Sequence, residues 1–195
     1  YVASHDLQEP LRKIQAFGDR LKLKCGMALD DAGRDYLERM LTSAGRMRDL
    51  INDLLSFSRV TSQARPFAAV DLGAVAAGVV SDLEDRIART GGTVDVGPLP
   101  TVAADPTQMR QLLQNLIGNG LKFHKPGQPP RVTVRGEVAT ADDGRPVCRI
   151  EVADDGIGFD VKYLDRIFQV FQRLHGRGEY EGTGVGLAIC RKIVE

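Results

Sequence analysis

Apolar residues in the first third of the chain recur at the three- and four-residue intervals of an amphipathic helix. They are Leu7, Leu11, Ile14, Phe17 and Leu21, then Leu37, Met40, Leu41, Ala44, Met47, Ile51, Leu54 and Leu55. Only Pro10 interrupts the stretch from Leu7 to Arg59, so two helices are expected. Between them LKCGMALDDAG supplies Gly26, Asp30, Asp31 and Gly33, a breaker cluster suited to a tight turn, and an antiparallel hairpin follows. The second helix, at about 28 residues, would run roughly 42 Å at 1.5 Å per residue, too long for one short partner to cover its stripe. The stripe therefore implies dimerisation into a four-helix bundle, with docking on a neighbouring domain as the alternative.

The pattern changes after the polar linker TSQARP, near residues 60 to 66, which Pro66 closes. GAVAAGVVSDLEDRIART is helical, with Asp71 as candidate N-cap, and TVDVG and PTVAAD read as short strands. PTQMRQLLQNLIGNGLKF is a further helix, capped by Asp105 with Pro106 at its first position. RVTVRGEVA and VCRIEVAD alternate apolar and polar residues about the turn ADDGR and form an antiparallel hairpin. Helices beside strands indicate an α+β sandwich, with the helices on one face of the sheet. The division expected is residues 1–61 and 62–195.

Composition narrows the functions available. At about 150 residues per domain, 195 residues make one large domain or two small ones, and 43% hydrophobic with 27% charged residues is an ordinary globular mixture. Lys+Arg 26 balances Asp+Glu 26, which argues against a strongly basic nucleic-acid surface and against an acidic disordered tail. No run approaches the roughly 18 to 20 apolar residues of a membrane span, and YVASHDLQEP lacks the features of a signal peptide, so a soluble, cytoplasmic segment without direct membrane contact is expected. Cys25, Cys148 and Cys190 are odd in number and widely spaced, which signals neither a disulfide framework nor a zinc site.

Five stretches carry candidate chemistry. On the helix beginning at Pro106, Asn115, Asn119 and Lys122 fall at i, i+4 and i+7 on one face, beside a separate stripe of Met109, Leu112, Leu113, Leu116 and Ile117. Two amides suit a hard cation such as Mg²⁺ held partly by phosphates, and the lysine suits phosphate itself; alone, the same row is an ordinary solvated face. The strand ending at Asp154 runs into DDGIGFD, where Gly156 and Gly158 allow close approach and a carboxylate can accept from an exocyclic amine such as that of adenine. In EGTGVGLAICRKIVE, Gly182, Gly184 and Gly186 lead into a helix and offer free N–H groups to an anion. The intervening stretch, with Phe168, Phe171, Arg173, Arg177 and Tyr180, suits a lid. Finally His5, beside Asp6 at the start of the first helix, is a candidate nucleophile toward a phosphoryl group, whereas His124 and His175 read as solvated residues.

Taken in order, SHDLQEP, NLIGNGLKF, DDGIGF, IFQVFQRL and GTGVGLAI resemble the phosphoacceptor, asparagine, first glycine, phenylalanine and second glycine boxes of sensor histidine kinases, over nearly the whole chain. The H-D-L-Q-E-P form is most similar to the phytochrome-like and hybrid branch. The resemblance implies an all-α helical hairpin, dimerising as a four-helix bundle, then an α+β ATP-binding sandwich of the gyrase, Hsp90 and histidine kinase type. It implies ATP and Mg²⁺ as cofactors and a response-regulator receiver domain as partner. His5 would be the phosphorylated residue and Asp6 its acid/base. Asn119 would hold Mg²⁺ with support from Asn115, and Lys122 would contact phosphate. Asp154 would read the adenine amine, with Gly156 and Gly158 framing the base. Gly182, Thr183, Gly184, Gly186 and Leu187 would line the phosphate side, and Arg173 would approach the γ-phosphate.

Two departures from the family stand out. Where many relatives carry Thr or Asn four residues after the histidine, associated with dephosphorylating the regulator, this chain has Glu9, which puts phosphatase activity in question. The chain stops at KIVE, where relatives complete the helix and add strands, so a truncated ATP-binding domain is expected. A dimeric pseudokinase scaffold and an ATP-hydrolysing conformational machine are the competing readings. The second is disfavoured by Asn115, which stands where such machines place a water-activating carboxylate.

Overall fold

The computed structural model describes residues 2–62, 66–141, 143–174, 176, 179–180 and 182–195, with the side chains of residues 2–5, 61 and 62 outside that set. The chain divides into two compact units, residues 1–58 and 59–195.

The first unit is the expected helical hairpin. Helix α1 spans Val2–Cys25 and α2 spans Asp31–Ser62, the last turn of α2 belonging to the second unit. Asp30 ends the turn between them and caps α2, its Oδ1 accepting from Gly33 N at 2.7 Å. Leu11, Leu37 and Ala44 are buried between the helices, and Gly18 leaves the space that the Leu41 side chain fills. Polar links flank this seam: Gln8 Nε2 donates to Asn52 Oδ1 at 2.6 Å, and Arg48 Nη1 to Gln15 Oε1 at 3.1 Å. Much of the apolar stripe stays uncovered, with Phe17 66% and Met40 61% exposed. Ile14, Tyr36, Met40, Ala44 and Met47 line an open groove of about 390 Å³ on this unit.

The second unit begins with β1 (Ala68–Asp71), a strand the periodicity did not reveal because only Val70 of its four residues is buried. Asp71 caps the next helix as expected, its Oδ1 accepting from Gly73 N and Ala74 N at 2.8 and 3.1 Å. The single helix expected up to Thr90 is two: α3 (Leu72–Asp82) and α4 (Glu84–Thr90), separated at Leu83, whose N–H is shared between the Val79 and Val80 carbonyls. Strands β2 (Thr93–Val96) and β3 (Thr101–Ala104) follow, then α5 (Pro106–Lys122), capped by Asp105 with Pro106 at its first position. Strands β4 (Arg131–Thr140) and β5 (Pro146–Asp154) form the expected hairpin, in register from Val132↔Asp154 to Thr140↔Pro146. A short turn of helix at Val161–Tyr163, α6 (Leu164–Ile167) and α7 (Gly186–Val194) complete the chain.

The strands form two sheets, β1–β3 antiparallel and β2–β4–β5 mixed, with β2 parallel to β4. The parallel pair arises because α5 lies in the crossover between them. Ala76, Val79, Leu113, Ile117, Leu121, Val132 and Val134 form the core where α3 and α5 lie on the larger sheet. Gly120 is the closest point: a Cβ there would lie 2.8 Å from Val132 Cγ2 and 3.2 Å from Asp154 Cβ, so the missing side chain seats α5 against the strand end carrying Asp154. Among the described residues no helix is long and apolar enough to cross a membrane.

Candidate functional site

Helix α5 is the spine on which the candidate residues gather. Its carboxyl end meets the DDGIG turn: Phe123 O accepts from Ile157 N at 2.9 Å, and Gly156 leaves no room for a side chain against the same carbonyl. Asp154 Oδ1 accepts from Gly156 N at 2.9 Å, which orients the carboxylate and leaves its second oxygen open at an exposed position. Gly158 adopts φ +64°, a left-handed conformation that permits the turn.

The third segment reaches α5 from the other direction. Asn115 Nδ2 donates to Gly186 O at 3.2 Å, tying α5 to the first residue of α7. Gly182, at φ +129°, passes the tip of Lys122 so closely that a Cβ there would lie 3.1 Å from Nζ. The Lys122 ammonium sits 4.0 Å from the centroid of the Phe123 ring, and that ring packs on Tyr180 at 4.9 Å between centroids, tilted by 53°. Thr183 and Leu187 are half-buried beside these glycines in the sequence. Asn115, Asn119, Lys122, Asp154, Gly156, Gly182 and Gly186 are thus gathered along or against one helix.

Arg173 is held by backbone carbonyls of its own loop in this arrangement. Its Nη1 donates to Gly182 O at 2.9 Å, and its Nη2 to Tyr180 O and, at 3.5 Å, to Gly176 O. In this arrangement the guanidinium holds the loop before Gly182 together, and it must leave those carbonyls before it can meet a phosphate. Phe171 beside it takes φ +64°, rare for an aromatic residue. His5 and Asp6 lie in α1 of the other unit, the His5 side chain being outside the described residues, as are His175, Arg177 and linker residues 63–65. His124 is half-buried, and its Nδ1 lies 3.1 Å from Lys125 O.

The donor set fits Mg²⁺ held with nucleotide phosphates. Among the described residues no group of three His, Cys, Asp or Glu is placed to hold a metal, so an ion here needs oxygen from amides and phosphate. Asn119 is half-buried, and its carboxamide makes no hydrogen bond to a described residue, leaving its oxygen available. Beneath the site Cys190 Sγ lies 3.9 Å from Leu112 O, and burial pushes this thiol up to about 11, so it stays protonated and inert.

Sequence reasoning passed over Phe123 and placed Tyr180 only in the lid stretch. Phe123 and Tyr180 join the α5 terminus to the loop before Gly182, a contact across 57 positions that no local pattern announces. The only hint of Phe123 was its place beside Lys122.

Residues 1–63 match the model of the His Kinase A (phospho-acceptor) domain, and residues 104–195 match that of the histidine kinase-, DNA gyrase B-, and HSP90-like ATPase. The phytochrome-like protein Cph1 of Synechocystis is 39% identical, and cyanobacterial phytochrome A of Nostoc 40% identical, each over the whole of this chain and 25% of its own length. The chain therefore spans about a quarter of these relatives. The crystal structure of full-length ShkA in complex with AMPPNP superposes with a TM-score of 0.68 at 29% identity, over 98% of this chain and 39% of that one. With both domain models matched in the order of the five boxes, this chain belongs to the sensor histidine kinases and comprises their catalytic core.

Proposed function

We propose that the chain is an ATP-dependent autophosphorylating histidine kinase core of a two-component system. The observation that carries this reading is the convergence on α5 of an amide row, a lysine, an oriented carboxylate and a glycine-rich helix start. Asp154 accepts the adenine amine through its open oxygen, while Gly156 and Gly158 keep the turn low beneath the base. Asn119, supported by Asn115, would hold Mg²⁺, which would screen the phosphates. Lys122 and the N–H groups of Gly182, Thr183, Gly184, Gly186 and Leu187 carry the remaining negative charge.

His5 attacks the γ-phosphorus in line; the new N–P bond replaces the β,γ-bridging P–O bond, ADP leaves, and Asp6 takes or orients the imidazole proton. Such a step depends on positioning and charge stabilisation, so the ATP-binding unit must be carried to His5, with the linker near residues 60 to 66 as hinge. The domain assignment 1–61 and 62–195 and the roles of these residues are part of this proposal. The phosphoryl group then passes to an aspartate of a response-regulator receiver domain in the cytoplasm. Homodimerisation is supported by the uncovered stripe at Ile14, Phe17, Met40 and Met47, where a second hairpin would bury apolar surface.

Asn119→Ala tests the separation of roles. It is expected to abolish labelling by γ-labelled ATP while sedimentation still reports a dimer. Full labelling, or a dissociated dimer, would contradict the assignment.

A further inference from the structure

The flank of α5 that faces α4 carries a polar cavity of about 420 Å³, whose wall includes Asp82, Asp85, Arg86, Arg89, Asn115 and Gly118. Asn115 places this cavity at one end of the nucleotide seat. Asp154 and the DDGIG turn lie at the carboxyl end of α5, and Asn115 lies seven residues before Lys122, roughly 10 Å away along the axis at 1.5 Å per residue. A triphosphate whose base rests at Asp154 and whose middle passes Lys122 brings its last phosphate toward Asn115 and therefore toward this cavity.

The charges there favour an anion. Asp82 is already ion-paired with Arg110. Arg89 Nε donates to the Asp85 backbone carbonyl at 3.3 Å, and neither Arg86 nor Arg89 has a carboxylate partner among the described residues. Two guanidinium groups thus face one unpaired carboxylate, the exposed Asp85. Arg86 is half-buried and crosses from α4 to α5, its Nη1 donating to Gly118 O at 3.3 Å. That bond holds the guanidinium against the Gly118 carbonyl, on the flank of α5 that Asn115 shares, and leaves its other N–H groups to the cavity.

Resting on the nucleotide reading above, we infer that Arg86 is a γ-phosphate-binding residue of this kinase core, contributed by α4 and aimed by the Gly118 carbonyl. Arg86 then distinguishes triphosphate from diphosphate: its contact exists with ATP and is absent once ADP remains.

Calorimetric titration of the whole chain with Mg²⁺ and either ADP or the non-hydrolysable imido analogue of ATP tests this. Arg86→Gln keeps a donor for Gly118 O and removes the charge; it is expected to weaken the imido analogue by about ten- to a hundredfold and ADP by less than about twofold. Arg86→Lys is expected to recover most of the triphosphate affinity. Equal weakening of both nucleotides by Arg86→Gln would show that Arg86 acts only through its bond to Gly118, and no weakening of either would show that it does not meet the ligand; both overturn the inference. If the unsubstituted protein bound neither nucleotide, the nucleotide reading itself would fail, a result distinct from an unchanged preference in the variant.

Discussion

Gly156→Ala isolates the joint on which adenine recognition depends. A Cβ at this position would stand 2.6 Å from Asp154 Oδ1 and inside van der Waals contact with the Phe123 carbonyl oxygen, which belongs to the end of a packed helix and cannot easily give way. The turn must move instead. Overpacking of this kind costs about 1–3 kcal/mol. Displacement also weakens the bonds from Gly156 N to Asp154 Oδ1 and from Ile157 N to Phe123 O, at about 0.5–1.5 kcal/mol each. The total is about 3 kcal/mol, roughly a hundredfold in an equilibrium constant. For a domain of this size that is a fall of about 10 °C in Tm. Gly158→Ala is the control: nothing lies within 4 Å of its Cβ, and only the φ of +64° is strained, at about 1 kcal/mol. Thermal melts of both variants should show a large loss of stability for Gly156→Ala and a small one for Gly158→Ala, and ADP titration of Gly156→Ala should show a large loss of affinity. Equal behaviour of the two, or wild-type affinity in Gly156→Ala, would refute the steric argument.

Further outcomes follow from the helix contacts beneath the site. Asn115→Ala removes the bond to Gly186 O between α5 and α7 and should lower stability by about 1 kcal/mol, a few degrees in Tm; an unchanged melt would show that the bond contributes nothing. Burial raises the Cys190 thiol from 9.0 to about 11, so the native state holds its proton more firmly than the unfolded chain does. Its stabilising contribution is complete below pH 9 and is lost as pH rises from about 9 to 11, and Cys190→Ser should flatten this part of a urea-stability profile. At pH 8 iodoacetamide should modify exposed Cys25 far faster than Cys190, and equal rates would contradict the burial.

Much of this architecture was legible in the chain because its signals are local. The 3.6-residue stripes marked α1 and α2, Asp105 with Pro106 marked the start of α5, and ADDGR marked the β4–β5 turn. The i, i+4, i+7 spacing likewise put Asn115, Asn119 and Lys122 on one face of one helix. What escaped depends on distant packing. Strand β1 buries only Val70, too little to produce an alternating signal, and the break at Leu83 falls within a continuous run of helix-forming residues. The parallel pairing of β2 with β4 exists only once α5 crosses over the sheet. The bonds from Arg173 to the Gly182 and Tyr180 carbonyls, nine and seven residues further on, were not announced by any local pattern. Arg86 was invisible in the same way, being 32 residues from the carbonyl that aims it.

The central claim is that the γ-phosphoryl group of ATP is transferred to His5, and the chemical stability of the product tests it most directly. After incubation with γ-labelled ATP and Mg²⁺, the account predicts label on the protein that survives alkali, is lost in acid and is absent from His5→Ala. Acid-stable label, or label that persists in His5→Ala, would contradict it.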